Sequence, residues 1–298
     1  MTFSAHPCRS ILYMPGSNAR ALEKAKTLDT DVVIFDLEDA VSPDKKSAAR
    51  QLVVEAVNAA SKGDYGYRKV CVRVNGLDTP WGVDDLEAIA LTVPDAVLLP
   101  KINSATDVQE AVSILKRAGL QDKTSIWVMM ETPLGILHAE DIAASDRVAA
   151  LVMGTADLVS DIRGKHTIDR LPVLASLSIC VLAARAYKRL IFDGVFLDLD
   201  DEMGFDRVCQ QGSELGFDGK TLIHPKQLHS ANKIFSPSEN EILFSKKVIE
   251  SHAQATRSGQ GVVLVNGKLI ENLHVEDAKR IVAFSDAIAA RESNLTHR

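Results

Sequence analysis

Short unbroken apolar runs alternate with amphipathic stretches along most of the chain. The runs fall at residues 10–14, 31–37, 69–74, 96–100, 125–130, 148–153, 190–197 and 220–223. Their continuous Val, Ile and Leu content predicts strands covered on both faces, as in parallel sheets. Between them, apolar residues recur at helical spacing, as with Ala21, Leu22, Ala25 and Leu28 after Asn18. Further helices are predicted from an N-cap at Ser42, followed by Pro43, through Ala59, and over 83–90, 105–118, 134–144, 174–189 and 205–215. Eight strand–helix units with right-handed crossovers predict an α/β fold, a (β/α)8 TIM barrel. A doubly wound sheet is the alternative, and no G-x-G-x-x-G or G-x-x-x-x-G-K-[ST] loop supports it. After the eighth run, 238–257 reads as a helix that Gly259 and Gly261 break. Residues 262–265 with Asn266-Gly267 predict a hairpin, and 275–290 a terminal helix. The expected organisation is a barrel over 1–235 and a helix–hairpin–helix extension over 236–298, serving as a lid or an oligomer contact.

Composition narrows the partners. The 298 residues carry a formal net charge of −6, which disfavours non-specific nucleic-acid or anionic-membrane binding. The most apolar predicted helix, 174–186, is too short to span a bilayer. Cys8, Cys71, Cys180 and Cys209 are scattered, with no C-x-x-C spacing for zinc or redox work. Reduced thiols and an N-terminus without a secretory pattern predict a cytoplasmic protein with a small-molecule partner.

In a parallel barrel the chemistry gathers where strands end. Those positions hold Asp36, Glu38 and Asp39; Arg73 and Asn75; Lys101; Glu131 and Thr132; Gly154, Thr155 and Asp157; and His224. Carboxylates sharing one cleft raise each other's pKa, and a divalent cation relieves this. Oxygen donors without a His or Cys cluster suit Mg²⁺ or Mn²⁺ and argue against zinc. Glu131 and Asp157, on adjacent strands, are the candidate metal ligands, with Glu38 and Asp39 behind them to hold metal-bound waters. Arg73, inside the apolar run VCVRVN, offers a planar fork to a carboxylate or an enolate-like oxygen. Each has a plainer reading: Glu131 and Asp157 as helix caps, the acidic triplet as a solvated loop, Arg73 as a solvated face. Lys101 and His224 stay open between site and surface. His6, His229, His252 and His297 read as surface residues.

The segments RSILYMPG, DLEDAVSPDKKSAAR, VRVNG, LLPK, MMETPLG, MGTADL and GFDGKTLIHPKQ occur in that order. Together they resemble the citrate lyase β-subunit-like branch of the HpcH/HpaI aldolase superfamily, over roughly residues 9–290. The resemblance implies a (β/α)8 barrel with a C-terminal extension, assembled as a homotrimer or hexamer. It also implies Mg²⁺-dependent chemistry on CoA thioesters of small hydroxy-dicarboxylic acids, such as malyl-CoA, citramalyl-CoA or citryl-CoA. It carries metal ligation onto Glu131 and Asp157, substrate binding onto Arg73, and an acidic supporting pair onto Glu38 and Asp39. Its K-x-x-A-R element falls on Lys46 and Arg50, expected at CoA phosphates, with a solvated helix face as the alternative. Backbone donors near Gly16 would join Arg73 at an enolate oxygen.

One departure bears on the reaction. Lyases of the family read G-K-M-I-D-x-P, where the aspartate reaches a neighbouring subunit's site as acid/base. Here the segment is GKLIENLHVEDA, with Glu271 and Leu273 in place of that aspartate and proline. The I-E-N-L-H form, with MMET and FDGKTLIHP, looks especially like the (3S)-malyl-CoA thioesterase subgroup. Arg73, Asp39 and Glu271 are the expected catalytic groups. The reaction expected is retro-Claisen C–C cleavage. Thioester hydrolysis is the alternative, and a metal-dependent aldolase on a free α-oxo acid and a non-catalytic scaffold follow. Glu271 has a structural alternative as an exposed hairpin-end charge.

Overall fold

All eight apolar runs become parallel strands in a computed structural model that describes residues 6–257 and 263–296. They are β1 (Ser10–Pro15), β2 (Val32–Asp36), β3 (Lys69–Arg73), β4 (Ala96–Leu99), β5 (Ser125–Met130), β6 (Val148–Met153), β7 (Leu190–Asp193) and β8 (Gly219–Leu222). They close in sequence order, with β1 hydrogen-bonded to both β2 and β8. The intervening helices are α1 (Ala19–Ala25), α2 (Lys46–Ser61), α3 (Gly82–Ala90), α4 (Ala105–Arg117), α5 (Pro133–Leu137), α6 (Ala139–Ala144), α7 (Thr155–Asp161), α8 (Leu174–Ala186), α9 (Glu202–Leu215) and α10 (Leu228–Ile234). The predicted TIM barrel is the observed fold.

The barrel explains why its strands are apolar on both faces. Ile11, Val32, Ile34, Cys71, Leu98, Trp127, Met129, Val152 and Phe192 form one buried cluster, the barrel interior. Their strand neighbours Leu12, Val33, Phe35, Val72, Val97, Val128, Leu151 and Ile191 join a larger cluster with the helices. Successive strand residues point to opposite faces, so neither parity meets water. The same alternation aims Asp36, Arg73 and Glu131 inward, two positions beyond the interior residues Ile34, Cys71 and Met129.

Several boundaries differ from expectation, each for a local reason. β7 ends at Asp193 rather than 197, where that carboxylate is taken by Lys220 and Arg170. The stretch 134–144 is two helices, because His138 leaves helical geometry (φ −104, ψ 20) and sets its ring Nδ1 2.8 Å from the Asn103 carbonyl. Ser42 starts a single 3-10 turn, Pro43–Lys45, and its hydroxyl bonds Asp44 rather than capping α2. Helices α7 and α10, seven residues each, fall outside the predicted helices. All four cysteines are buried, and none forms a disulfide among the described residues.

The described residues divide into two units, the barrel (Cys8–Phe235) and a second unit holding everything from Ser236 on with the few residues ahead of Cys8. The second contains α11 (Glu239–Arg257), β9 (Val263–Val265), β10 (Lys268–Ile270) and α12 (Asn272–Thr296). Asn266 (φ 49) and Gly267 (φ 78) both take left-handed backbone at the tip, as a two-residue hairpin turn requires. Val248, Val265, Ile270, Val275 and Ala278 form its core. The Gly259–Gly261 break and His297 lie outside the described residues. Among the described residues no helix is long and apolar enough to cross a membrane.

Candidate active site

A cavity of about 330 Å³ opens at the carboxyl ends of the strands. Asp36, Asp39, Arg73, Glu131, Gly154, Thr155 and Asp157 line it, with Tyr13, Met129, Met153, Val195 and Leu197 as its apolar walls. Those seven strand-end positions therefore meet at one cavity, in two halves.

The first half is built on β2 and β3, where Asp36 and Arg73 are register partners. The guanidinium grips Asp36 bidentately, Nε to Oδ1 and Nη2 to Oδ2 at 2.7 Å each. Its Nη1 lies 2.8 Å from Glu38 and 3.4 Å from Asp39. Asp36 also accepts the Glu38 and Ala40 amides at 2.9 and 3.0 Å. Burial pushes its carboxyl up, but Arg73 and these amides outweigh it and hold the group below the usual range. Burial pushes Glu38 up to about 7, helped by Asp39, Glu131 and Asp36 against the pull of Arg73. The guanidinium also stacks over Tyr13, 4.8 Å from the ring centre.

Under this half lies a brace that the sequence did not reveal. Lys46 is buried, and its ammonium donates to the Leu37 and Glu38 carbonyls at 2.8 Å and to Asn75 Oδ1 at 2.6 Å. Asn75 passes a hydrogen bond to buried Asp85 at 2.6 Å, and Asp85 takes Arg50 Nε at 2.7 Å. Arg50 also reaches Asp84 and the Trp81 carbonyl. These contacts tell against a phosphate role for Lys46. Three internal acceptors take all three N–H groups of Lys46, and Arg50 places three of its five N–H groups on Asp85, Asp84 and the Trp81 carbonyl. The i,i+4 spacing of Lys46 and Arg50 on α2 lets one face brace the acidic loop. The Gly16 amide itself donates to the Asp36 carbonyl at 2.8 Å. Its small size is what the packing needs, since a Cβ there would stand 2.7 Å from that oxygen and 2.8 Å from Val53.

The second half comes from β4, β5 and the start of α7. Glu131 is buried, and its Oε1 accepts the Lys101 amide at 2.7 Å. The Lys101 ammonium lies 3.8 Å from the same oxygen and pairs closely with Asp157. Lys101 does this from left-handed backbone (φ 54), rare for a residue with a side chain. Burial pushes the Glu131 carboxyl up, with Lys101 opposing. Gly154 gives Glu131 its room, because a Cβ there would overlap the glutamate side chain. Asp157 lies in the first turn of α7, whose N-cap is Gly154.

Glu131 and Asp157 thus converge on one cation, an ammonium, in a site of oxygen donors. A hard dication that takes one or two carboxylates and keeps its other positions for water and substrate fits this pair. Among the described residues no group of three or more His, Cys, Asp or Glu forms a ligand cage, so an ion held by this pair would leave its other positions to water and substrate. Thr132 caps α5 and bonds Asn103, and His224 caps the turn Pro225–Gln227. Neither lines the cavity. Glu271, in the second unit, precedes α12 with its amide donated to His274 Nδ1 at 3.0 Å.

The barrel's mouth pairs an arginine-clamped acidic loop with two carboxylates around one ammonium, and known proteins give this chain a family. The model of the HpcH/HpaI aldolase/citrate lyase family matches residues 9–225, and the protein belongs to that family. It is 48% identical to the (3S)-malyl-CoA thioesterase of Cereibacter sphaeroides (strain ATCC 17025 / ATH 2.4.3) over 97% of this chain and 99% of that protein. It is 34% identical to citrate lyase subunit beta of Escherichia coli (strain K12), over 95% of each. The crystal structure of CitE from Mycobacterium tuberculosis in complex with magnesium, acetoacetate and coenzyme A matches with a TM-score of 0.76. That match has 27% identity and covers 95% of this chain and 100% of that one.

Proposed function

We propose that this protein is a Mg²⁺-dependent lyase that cleaves a C–C bond of a small 3-hydroxyacyl-CoA dicarboxylic thioester, of the malyl-CoA, citramalyl-CoA or citryl-CoA type. The observation that carries the reading is the single cavity in which Glu131 and Asp157 face Arg73. The magnesium and coenzyme A held by CitE of M. tuberculosis support it. Glu131 and Asp157 would hold the ion, and Mn²⁺ suits the same oxygens. When bound, the ion supplies Lewis acidity toward the substrate's hydroxyl and carboxylate.

The protein's own groups do the rest. Arg73, locked by Asp36, meets the thioester oxygen where negative charge develops as the bond breaks. Its long contact with Asp39, whose side chain is 66% exposed, is the one a substrate oxygen replaces. Glu38 and Asp39 orient water and substrate hydroxyls. Glu271 is the group we assign to return a proton to the released acyl carbon. The apolar walls exclude water from that carbanion.

A second reading is hydrolysis of (3S)-malyl-CoA to malate and CoA. The thioesterase of C. sphaeroides, similar along its whole length, favours it. Glu271 in the position of the lyase aspartate favours it too. In that reaction the same groups bind, and Glu271 activates a water against the thioester carbonyl. One incubation with malyl-CoA and Mg²⁺ decides. Glyoxylate with acetyl-CoA establishes cleavage, and free thiol with malate but no glyoxylate establishes hydrolysis. Turnover of pyruvate and an aldehyde, with none of CoA esters, would replace both by an aldolase on a free α-oxo acid.

We further propose a cytoplasmic homotrimer or hexamer, with the second unit as lid or contact. Exposed Leu264, Leu269 and Leu273 on its hairpin and helix start support this. Sedimentation as a monomer at micromolar concentration would contradict it.

A further inference from the structure

Lys46, Lys101 and Lys220 each hold acceptors near the barrel's strand ends, and one of them is unlike the others. Lys220 has a fully buried side chain, held by Asp193 and the Gly194 carbonyl. Lys46 is 6% exposed and held by three neutral acceptors. Both ammonium groups are enclosed by the fold. The Lys101 side chain is 37% exposed, and its ammonium meets Asp157, itself 39% exposed, and Glu131. Only this lysine lies where a cation site has been assigned, and it has a path to solvent.

We propose that Lys101 is an exchangeable internal counter-cation. Its ammonium holds Glu131 and Asp157 together in the metal-free enzyme, and a divalent cation enters only by displacing it. The inference rests on the assignment of those two carboxylates as metal ligands, and it adds a competitor built into the chain. Two carboxylates at the mouth of an apolar barrel repel each other unless a positive charge stands between them. The left-handed backbone at Lys101 serves this arrangement. It points the residue's amide at Glu131 Oε1 (2.7 Å) while returning the side chain over the same oxygen (3.8 Å) toward Asp157. The amide keeps its hold on Glu131 whichever cation is present, so the ligand stays aimed while the ammonium swings outward. Lys101 is therefore a positioning residue in one atom and a competitor in another. One ammonium leaves the pair and one dication arrives, so the site moves from net −1 to neutral.

The test uses the full-length protein and Mn²⁺ alone, titrated by calorimetry without substrate. Lys101→Met removes the ammonium, and Lys101→Gly also relaxes the left-handed backbone, which provides a folded variant if methionine is poorly tolerated. Both keep the amide. Each should bind Mn²⁺ about tenfold more tightly than the natural protein, a difference of about 1.4 kcal/mol. Each should also show a larger Mn²⁺-induced rise in Tm. Asp157→Asn separates the two claims. If it binds Mn²⁺ as the natural protein does, the metal assignment fails and the inference falls with it. If it loses Mn²⁺ while both Lys101 variants bind equally or more weakly than the natural protein, the metal assignment stands and the counter-cation role is overturned.

Discussion

The two halves of the cavity are built from the same residue types and differ in how tightly the fold holds them. On the β2–β3 side, Arg73 and Asp36 are buried, bidentate and braced by Lys46, Asn75, Asp85 and Arg50. On the β4–β6 side, two carboxylates share one half-exposed ammonium. A group that must present one geometry to a developing charge gains from being over-determined. A group that must accept and release an ion gains from an exchangeable partner. Under the proposed function, the difference separates a rigid anion-binding wall from a loadable cation site.

The comparison can be broken in several places, beginning with the largest effect. Asp157→Asn should lower Mg²⁺-dependent turnover at least ~1,000-fold, measured by acetyl-CoA or thiol release, since the metal supplies several kcal/mol to the transition state. Its Tm should stay within a few degrees, because Asp157 is half-exposed; full activity would remove the metal assignment. Glu271→Ala should cut kcat by ~100-fold or more with KM nearly unchanged, as loss of a proton-transfer group does. Unchanged turnover would make the hairpin end structural. Arg73→Lys should reduce kcat/KM by ~100-fold, because a point charge cannot replace a fork already committed to Asp36.

Stability separates the halves further. Lys46→Met strands the Leu37 and Glu38 carbonyls and Asn75, and should cost about 1–3 kcal/mol in urea unfolding. Lys101→Met should cost clearly less, since its partners reach solvent. A reversal of that order would contradict the division into fixed and exchangeable halves. Acid should act late on the Arg73–Asp36 clamp itself. The Asp36 carboxyl lies below its unfolded value, so its contribution is present above an unfolded pKa of about 3.9 and is lost only as pH falls through the lower folded one. A fluorescence-monitored acid titration of Asp36→Asn against the natural protein measures this, and the stability gap should narrow below pH ~4.

The strands were legible because burial on both faces leaves no choice of residue, so the runs at 125–130 and 148–153 coincide with β5 and β6. The convergence of Asp36, Arg73 and Glu131 was legible for the same reason, since alternation counted from the interior residues fixes where strand-end side chains point. The fates of Lys46 and Arg50 were not. A cation on a helix beside an acidic loop looks the same in sequence whether it faces solvent or lies beneath the loop, and only the packing of α2 on α3 decides. Asp85 was missed because an acidic residue in a first helical turn ordinarily reads as a solvated contribution to the helix dipole. The role of Lys101 was left open because it depends on a backbone conformation that only glycine advertises.

The central claim is that one hard dication sits between Glu131 and Asp157 with Arg73 across the cavity. Anomalous diffraction at the manganese edge, from crystals grown with Mn²⁺, tests it most directly. The account predicts a single strong peak within about 2.0–2.3 Å of an oxygen from each of those carboxylates, with the Lys101 ammonium turned away. A peak on other residues, or none at saturating Mn²⁺, would contradict it.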